Sequence, residues 1–169
     1  MSSGHILYLI RHGIAEERGK AWPDDRKRPL SPDGIKKLRR SGRGLARFVT
    51  RLDIILTSPL VRARQTAEIV ASGFETRPVI VNLDALAPGG SAASILSALQ
   101  THTRRVSIAL VGHQPDMGHL AARLIGARRG IDFKKGAVCR IDVQTLPPVR
   151  PGALRWFVTP GILRSINHQ

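Results

Sequence analysis

The chain has 169 residues, of which 27 are Lys or Arg and 12 are Asp or Glu, giving a formal charge of +15. That length supports one domain with a real core, the charge calls for an anionic partner or substrate, and no apolar run approaches the roughly 18 residues a membrane span needs. Aromatic residues make up only 4% of the chain, which leaves Leu, Ile, Val and Ala to build the core and removes the stacking platforms a nucleic-acid binder uses.

Residues 6–10 form an apolar run that reads as a buried strand and is too short for the apolar segment of a secretory leader. It ends in Arg11-His12-Gly13. Residues 16–29 are polar, charged and irregular, and read as a loop. Ser31-Pro32 then opens a helix, with serine as N-cap and proline at the first helical position. Ile35, Leu38, Leu45 and Val49 mark the apolar face of that helix, with Gly42 on the same face. Residues 53–57 are a second short strand, and Ser58-Pro59 repeats the cap-plus-proline start for a helix running to about Ala71. Residues 78–82 are a third strand, followed by a Pro-Gly-Gly loop and a helix from about Ser91 to Gln100. Residues 106–111 are a continuous apolar strand ending in Gly112-His113, and Pro115 opens a helix through about Ile125. Residues 137–143 and 154–158 are two late strands joined by the turn-rich stretch 146–152. The alternation predicts an α/β fold, three-layered, with a mostly parallel central sheet flanked by helices, in a single domain over 1–169.

Ligands of open α/β sheets bind outside the carboxyl ends of the strands. Arg11 and His12 end the first predicted strand, Arg62 lies in the first turns of the helix after the second, and His113 ends the fourth. Three segments far apart in sequence therefore converge on one sheet edge, where helix N-termini add backbone N–H groups. Imidazole can act as a nucleophile, and guanidinium holds phosphate oxygens in a planar fork. His5, His102, His119 and His168 have no such context, and no metal-ligand spacing accompanies the six histidines. Cys139, the single cysteine, reads as a small buried hydrophobe and fits a reducing cytoplasm.

Taken in order, Arg11-His12-Gly13, Thr57-Ser-Pro-Leu-Val-Arg62-Ala-Arg-Gln-Thr66-Ala and Val111-Gly-His113 resemble the histidine phosphatase superfamily, with its phosphoglycerate mutase-like fold. Arg28-Pro29-Leu30-Ser31-Pro32-Asp33-Gly34 points to the SixA-type phosphohistidine phosphatase branch. The resemblance implies that His12 is the nucleophile and forms a phosphohistidine that water hydrolyses. It implies that Arg11 and Arg62 grip the phosphoryl oxygens, and that His113 hydrogen-bonds the phosphate, as a further cation when protonated. It also implies that Arg28 reaches the site, and it calls for no cofactor and no metal. Arg64, two residues past Arg62, points elsewhere on the helix and reads as a surface charge.

Larger members of the family carry a carboxylate after the third strand that protonates the leaving oxygen. Residues 82–90 hold one carboxylate, Asp84, while the family's acidic position falls nearer Ala85; a one-residue shift brings Asp84 to it. Asp84 is thus a candidate general acid and equally a turn former. An alkoxide leaving group needs a proton donor, whereas protonated phosphohistidine releases neutral imidazole without one. The expected activity is therefore removal of phosphate from a phosphohistidine of a signalling phosphotransfer protein. The alternatives are a broad phosphomonoesterase for small esters, and a non-catalytic module binding phosphate or nucleic acid. Lys36, Arg40, Arg43, Arg47 and Arg51, at steps of four, three, four and four, form a basic stripe on the first helix. The stripe reads as a solvated face or as a docking surface for an acidic phosphoprotein.

Overall fold

A computed structural model of the chain describes residues 4–166. In chain order it contains β1 (His5–Arg11), α1 (Pro32–Ala46), β2 (Ile54–Thr57), α2 (Val61–Ser72), β3 (Val79–Asn82), α3 (Ala92–Ala98), β4 (Ser107–Gly112), α4 (Asp116–Ile125), β5 (Val138–Val143), β6 (Ala153–Val158) and α5 (Pro160–Ile166). The strands form a six-stranded sheet in the order β3-β2-β4-β1-β5-β6. The β3-β2-β4-β1 part is parallel, and β5 runs antiparallel to both β1 and β6.

Alternation along β1 explains the layering, because successive side chains point to opposite faces of a sheet. Leu7 and Leu9 pack on one side with Ile108 and Leu110 of β4, against Ile95 of α3 and Leu120 and Leu124 of α4. Tyr8 and Ile10 pack on the other side, against Leu45 of α1, Ala63 and Ala67 of α2 and Leu163 of α5. The expected three-layer α/β fold is observed. Every residue of β4 is buried, as a central parallel strand requires.

Most predicted elements lie within a residue or two of their observed ends, and four differ for identifiable reasons. Ser58-Pro59 does not cap α2, whose N-cap is Leu60, with no side-chain cap bond. Ser58 still belongs to the strand exit: its N–H donates to the Val111 carbonyl at 2.9 Å, and its hydroxyl is used by a histidine. The first helix stops at Ala46, where short bonds from Arg47 N–H to Gly44 and from Phe48 N–H to Leu45 tighten the last turn. Val49 is therefore buried from a turn, and Arg51 lies past the helix paired with Asp53, so the five basic residues are not one helical stripe. The predicted helix to Gln100 is α3 followed by a 3₁₀ turn at Leu99–His102. Within the loop of residues 16–29, Asp25–Lys27 form a 3₁₀ turn, and the loop is pinched at its base by the Ala15–Leu30 bridge.

Sequence patterning misses α5, which is only 7 residues long with one buried side chain, Leu163. Its signal was the Thr159-Pro160 pair, the same kind of start as the Ser31-Pro32 pair of α1. The α1–α5 contact is close at one point: a Cβ on Gly44 would lie 1.9 Å from the Leu163 carbonyl oxygen. Gly44→Ala should therefore lower stability by about 2 kcal/mol despite alanine's higher helix propensity, because overpacking costs roughly 1–3 kcal/mol. Urea unfolding checks this, and an alanine variant as stable as the parent would contradict the packing of α5.

Candidate active site

The carboxyl end of β1 is held from both sides. The His12 N–H donates to the Gly112 carbonyl of β4 at 3.0 Å, and the Gly136 N–H lies 3.1 Å from the carbonyl oxygens of both Arg11 and His12. His12 is buried, with Nδ1 2.7 Å from its neighbour's carbonyl, Gly13 O. A carbonyl only accepts, so Nδ1 carries the proton and Nε2 keeps the lone pair. Burial, then the charges of His113, Arg62 and Arg11, outweigh the Gly13 carbonyl and push the His12 pKa down to about 3. His12 is a neutral imidazole with a free nucleophilic nitrogen.

Gly13 is itself tied down: its N–H donates to the Thr66 hydroxyl at 3.0 Å, and that hydroxyl donates to the Arg62 carbonyl at 2.7 Å. Thr66 thus couples the turn after His12 to the helix that carries Arg62. Gly34, in the first turn of α1, meets the same turn from below. A Cβ there would lie 2.0 Å from the Ile14 carbonyl oxygen, which also accepts the Ser31 N–H at 3.0 Å. The Leu-Ser-Pro-Asp-Gly segment is therefore a buttress for the loop behind the histidine.

Arginines surround the imidazole. Arg11 Nη1 donates to the Phe133 carbonyl at 2.6 Å, Arg28 Nη1 donates to the Glu16 carbonyl at 2.7 Å, and Arg62 Nη1 donates to the Asp25 carbonyl at 2.7 Å. Arg62 and Arg28 also share the Asp25 carboxylate, through Nη2 at 2.9 Å and Nε at 2.8 Å. Burial lowers the pKa of both Arg11 and Arg62. For Asp25, burial would raise the pKa but is outweighed by the hydrogen bonds and charges of Arg28 and Arg62, which hold the carboxylate ionised. Sequence reasoning missed Asp25; its signal was its place three residues before Arg28, one 3₁₀ turn away.

His113 leaves β4 beside His12, with ring centroids 5.1 Å apart. Its Nε2 is 2.8 Å from the Ser58 hydroxyl, which accepts the Leu60 N–H at 3.3 Å and can donate its own proton to the ring. In that arrangement Nδ1 carries the other proton as a donor. Burial first, then Arg62, bring the His113 pKa down to about 4, so in the ligand-free site it is neutral rather than the cation expected when protonated. Among the described residues, His113 Nδ1 and the Nε atoms of Arg11 and Arg62 are buried without a protein partner. A tetrahedral oxyanion is the kind of ligand that supplies acceptors to donors so placed.

His12, Arg11, Arg28, Arg62 and His113 all line one cleft of about 460 Å³. Asp84 is exposed in the 3₁₀ turn Asp84–Leu86 and is not among the residues lining that cleft; from its segment Pro88 is. The carboxylates lining the cleft come instead from the loop of residues 16–29, as Glu16, Glu17 and Asp25. Arg64 is on the surface, bonded to Glu68 and Asn82. His119 is exposed and His5 pairs with the Arg105 carbonyl, while His168 lies outside the described residues. Cys139 is fully buried, and burial pushes its thiol up to about 12, as an inert core residue requires. No cluster of metal-ligating side chains occurs among the described residues.

Three outcomes follow from these electrostatics. The His12 and His113 ring protons should show no titration in NMR spectra between pH 8 and 5, whereas an ordinary histidine titrates near 6.5. Both rings bind protons more readily unfolded than folded, so stability falls as pH drops from about 6.5, toward about 4 for His113 and about 3 for His12. Asp25→Asn removes the carboxylate that now satisfies Arg28 and Arg62. Inorganic phosphate should then bind roughly tenfold tighter, the scale of one charged hydrogen bond. Titration calorimetry reads this directly, and weaker binding would mean that Asp25 holds the guanidinium groups in place for the anion.

The chain is similar in sequence and fold to several known proteins. The model of the histidine phosphatase superfamily (branch 1) matches residues 7–86. An uncharacterized protein of Picosynechococcus sp. is 37% identical over 136 residues, covering 78% of this chain and 81% of that protein. Phosphohistidine phosphatase SixA of Escherichia coli is 26% identical over 156 residues, covering 91% and 93% of the two chains. The solved structure of the protein histidine phosphatase SixA complexed with tungstate superposes with a TM-score of 0.83 at 25% identity, over 94% of this chain and 99% of the other. With a neutral histidine ringed by arginines at the strand ends and these relatives alongside, the chain belongs to the histidine phosphatase superfamily and is similar to its SixA-type members.

Proposed function

We propose that this phosphatase removes phosphate from phosphohistidine on a signalling protein, such as a histidine-containing phosphotransfer domain, by way of a phosphorylated His12. The observation that carries the reading is the His12 imidazole, neutral and with Nε2 free, in a cleft it shares with Arg11, Arg28, Arg62 and His113. Nε2 attacks phosphorus in line as the P–N bond to the donor imidazole breaks. A proton on the donor's other ring nitrogen lets it leave as neutral imidazole. Water then attacks phospho-His12, giving inorganic phosphate and restoring Nε2. Negative charge spreads over the equatorial oxygens in both steps, and the fixed cations and the His113 N–H lie ready to stabilise it.

Three features support a protein phosphohistidine over a small ester. Asp84, the expected proton donor for an alkoxide, is not part of the cleft wall. Asp25, the carboxylate bonded to two of the arginines, is held ionised and so has no proton to give. The connections at the carboxyl ends of β2 and β4, residues 58–60 and 113–115, are only three residues each, so neither supplies chain to cover the cleft against a protein partner. Two relatives described as phosphohistidine phosphatase SixA or its homolog lend the same reading to the substrate. A cytoplasmic location belongs to it, in keeping with the buried free thiol of Cys139.

The test compares turnover of a phosphorylated phosphotransfer domain with a panel of small phosphate esters. His12→Ala should abolish both activities and the trapping of labelled phosphate on the protein, and Arg62→Ala should cost about 10²–10³ in kcat. Asp84→Asn should leave phosphoprotein turnover within about twofold. Retained activity in His12→Ala would remove the assigned nucleophile. A large kcat loss in Asp84→Asn on alkyl esters would instead favour a phosphomonoesterase.

A further inference from the structure

A second cleft, of about 480 Å³, adjoins the catalytic one. Arg11 and Lys135 line both, so the two share a wall. Its far side is cationic, with Lys37 of α1, Lys134 of the β5 approach and Arg164 of α5. Lys134 and Lys135 are exposed, and Lys37 pairs at 2.7 Å with Asp33, which is not itself a lining residue. No carboxylate lines this cleft. Its floor is aliphatic, built from Ile14, Leu38 and Pro160.

We propose that this cleft is a docking site for an acidic, amphipathic helix face on the phosphorylated substrate protein. The inference rests on the phosphoprotein reading above and adds the place where the partner is gripped. A substrate with its phosphoryl group at His12 must present neighbouring surface across the Arg11 wall. A helix face with aliphatic residues at i and i+4 and carboxylates on its flanks matches an aliphatic floor rimmed by lysines and arginine. Nucleic acid fits less well: no aromatic side chain lines the cleft to stack a base, and a phosphate backbone gains nothing from the apolar floor.

This location differs from the basic stripe of the first helix. Lys36, Arg40 and Arg43 are not among the residues lining the cleft, whereas Lys37, Leu38 and Ser41 are. Of these, Lys37 and Ser41 each lie one position along from a stripe residue, and Leu38 belongs to the apolar face.

The chain's charge makes generic attraction to any acidic peptide certain, so the test needs a charge-matched control. The probe is a fluorescein-labelled helical peptide carrying leucines at i, i+4 and i+7, flanked by glutamates, read by anisotropy. Lys37→Gln, Lys134→Gln and Arg164→Gln together should weaken binding about tenfold or more. Arg77→Gln, Arg104→Gln and Arg105→Gln together remove the same charge at the opposite edge, next to the starts of β3 and β4, and should weaken binding less than about twofold. Lys134→Gln alone, on an exposed loop where folding is not at stake, should cost about threefold. Equal losses in the two triple variants, no effect of Lys134→Gln, or no binding to the parent protein would each overturn the docking site. A peptide bound as expected by a protein that leaves phosphohistidine domains untouched would remove the substrate reading and leave the cleft standing.

Discussion

The structure depends on keeping one imidazole neutral inside a ring of buried positive charge. Arg11, Arg28 and Arg62 line the cleft with His12, and burial and the neighbouring His113, Arg62 and Arg11 all disfavour a proton on it. Burial alone would depress the His12 pKa; the neighbouring cations depress it further. What would be a liability in a core is what the proposed phosphoryl-transfer nucleophile needs, since the lone pair must stay available at any pH at which the substrate is dianionic. The Gly13 carbonyl completes the arrangement by fixing which nitrogen holds the proton.

Such a ring has to be made tolerable when no anion is bound. Each arginine does so through at least one backbone carbonyl, from Phe133, Glu16 or Asp25, and two of them through the Asp25 carboxylate. Carbonyls orient a guanidinium without cancelling its charge, whereas a carboxylate cancels it. Asp25 therefore lowers the energy of the empty site, and an incoming dianion gains only the difference between its own contacts and those it shares or displaces. The same difference governs product, because the phosphate released after hydrolysis meets the carboxylate as a competitor. The Asp25 side chain is 42% exposed, against 3% for Arg62 and 8% for Arg28, so the partner that must yield is the one on the solvent side.

Much of this was legible in the sequence, and the limits follow from the physics of each signal. The strands read correctly because a buried parallel strand is a run of aliphatic residues bounded by polar ones, and β1, β2 and β4 are that simple. The Ser31 cap was legible because its hydroxyl does bond the Gly34 N–H at 3.0 Å. The identical-looking Ser58-Pro59 misled because a cap is a hydrogen bond, not a dipeptide, and Ser58 spends its hydroxyl partly on His113. Arg11, His12 and His113 are brought together because they end the adjacent parallel strands β1 and β4, whereas Arg62 joins them from the first turn of α2 and Arg28 from the loop of residues 16–29. Asp25 and the Lys37–Lys134–Arg164 cleft were illegible for the opposite reason. Both lie where loops or separate helices meet, and such meetings leave no periodic trace in the chain.

The charge of +15 then takes a more specific meaning than a general affinity for anions. Part of it lies inside the cleft around His12, where Arg11, Arg28 and Arg62 are each oriented by a backbone carbonyl. Another part lies in the adjoining cleft, in side chains that rim an aliphatic floor. These two populations act on different quantities. Contact cations in a desolvated site lower the barrier of phosphoryl transfer and are little affected by salt, whereas rim cations raise encounter rate and are screened within roughly 10 Å at 0.1 M ionic strength. Salt therefore separates them without any mutation. An effect confined to kcat/KM on large acidic substrates belongs to the rim, and one shared with small esters belongs to the ring around His12.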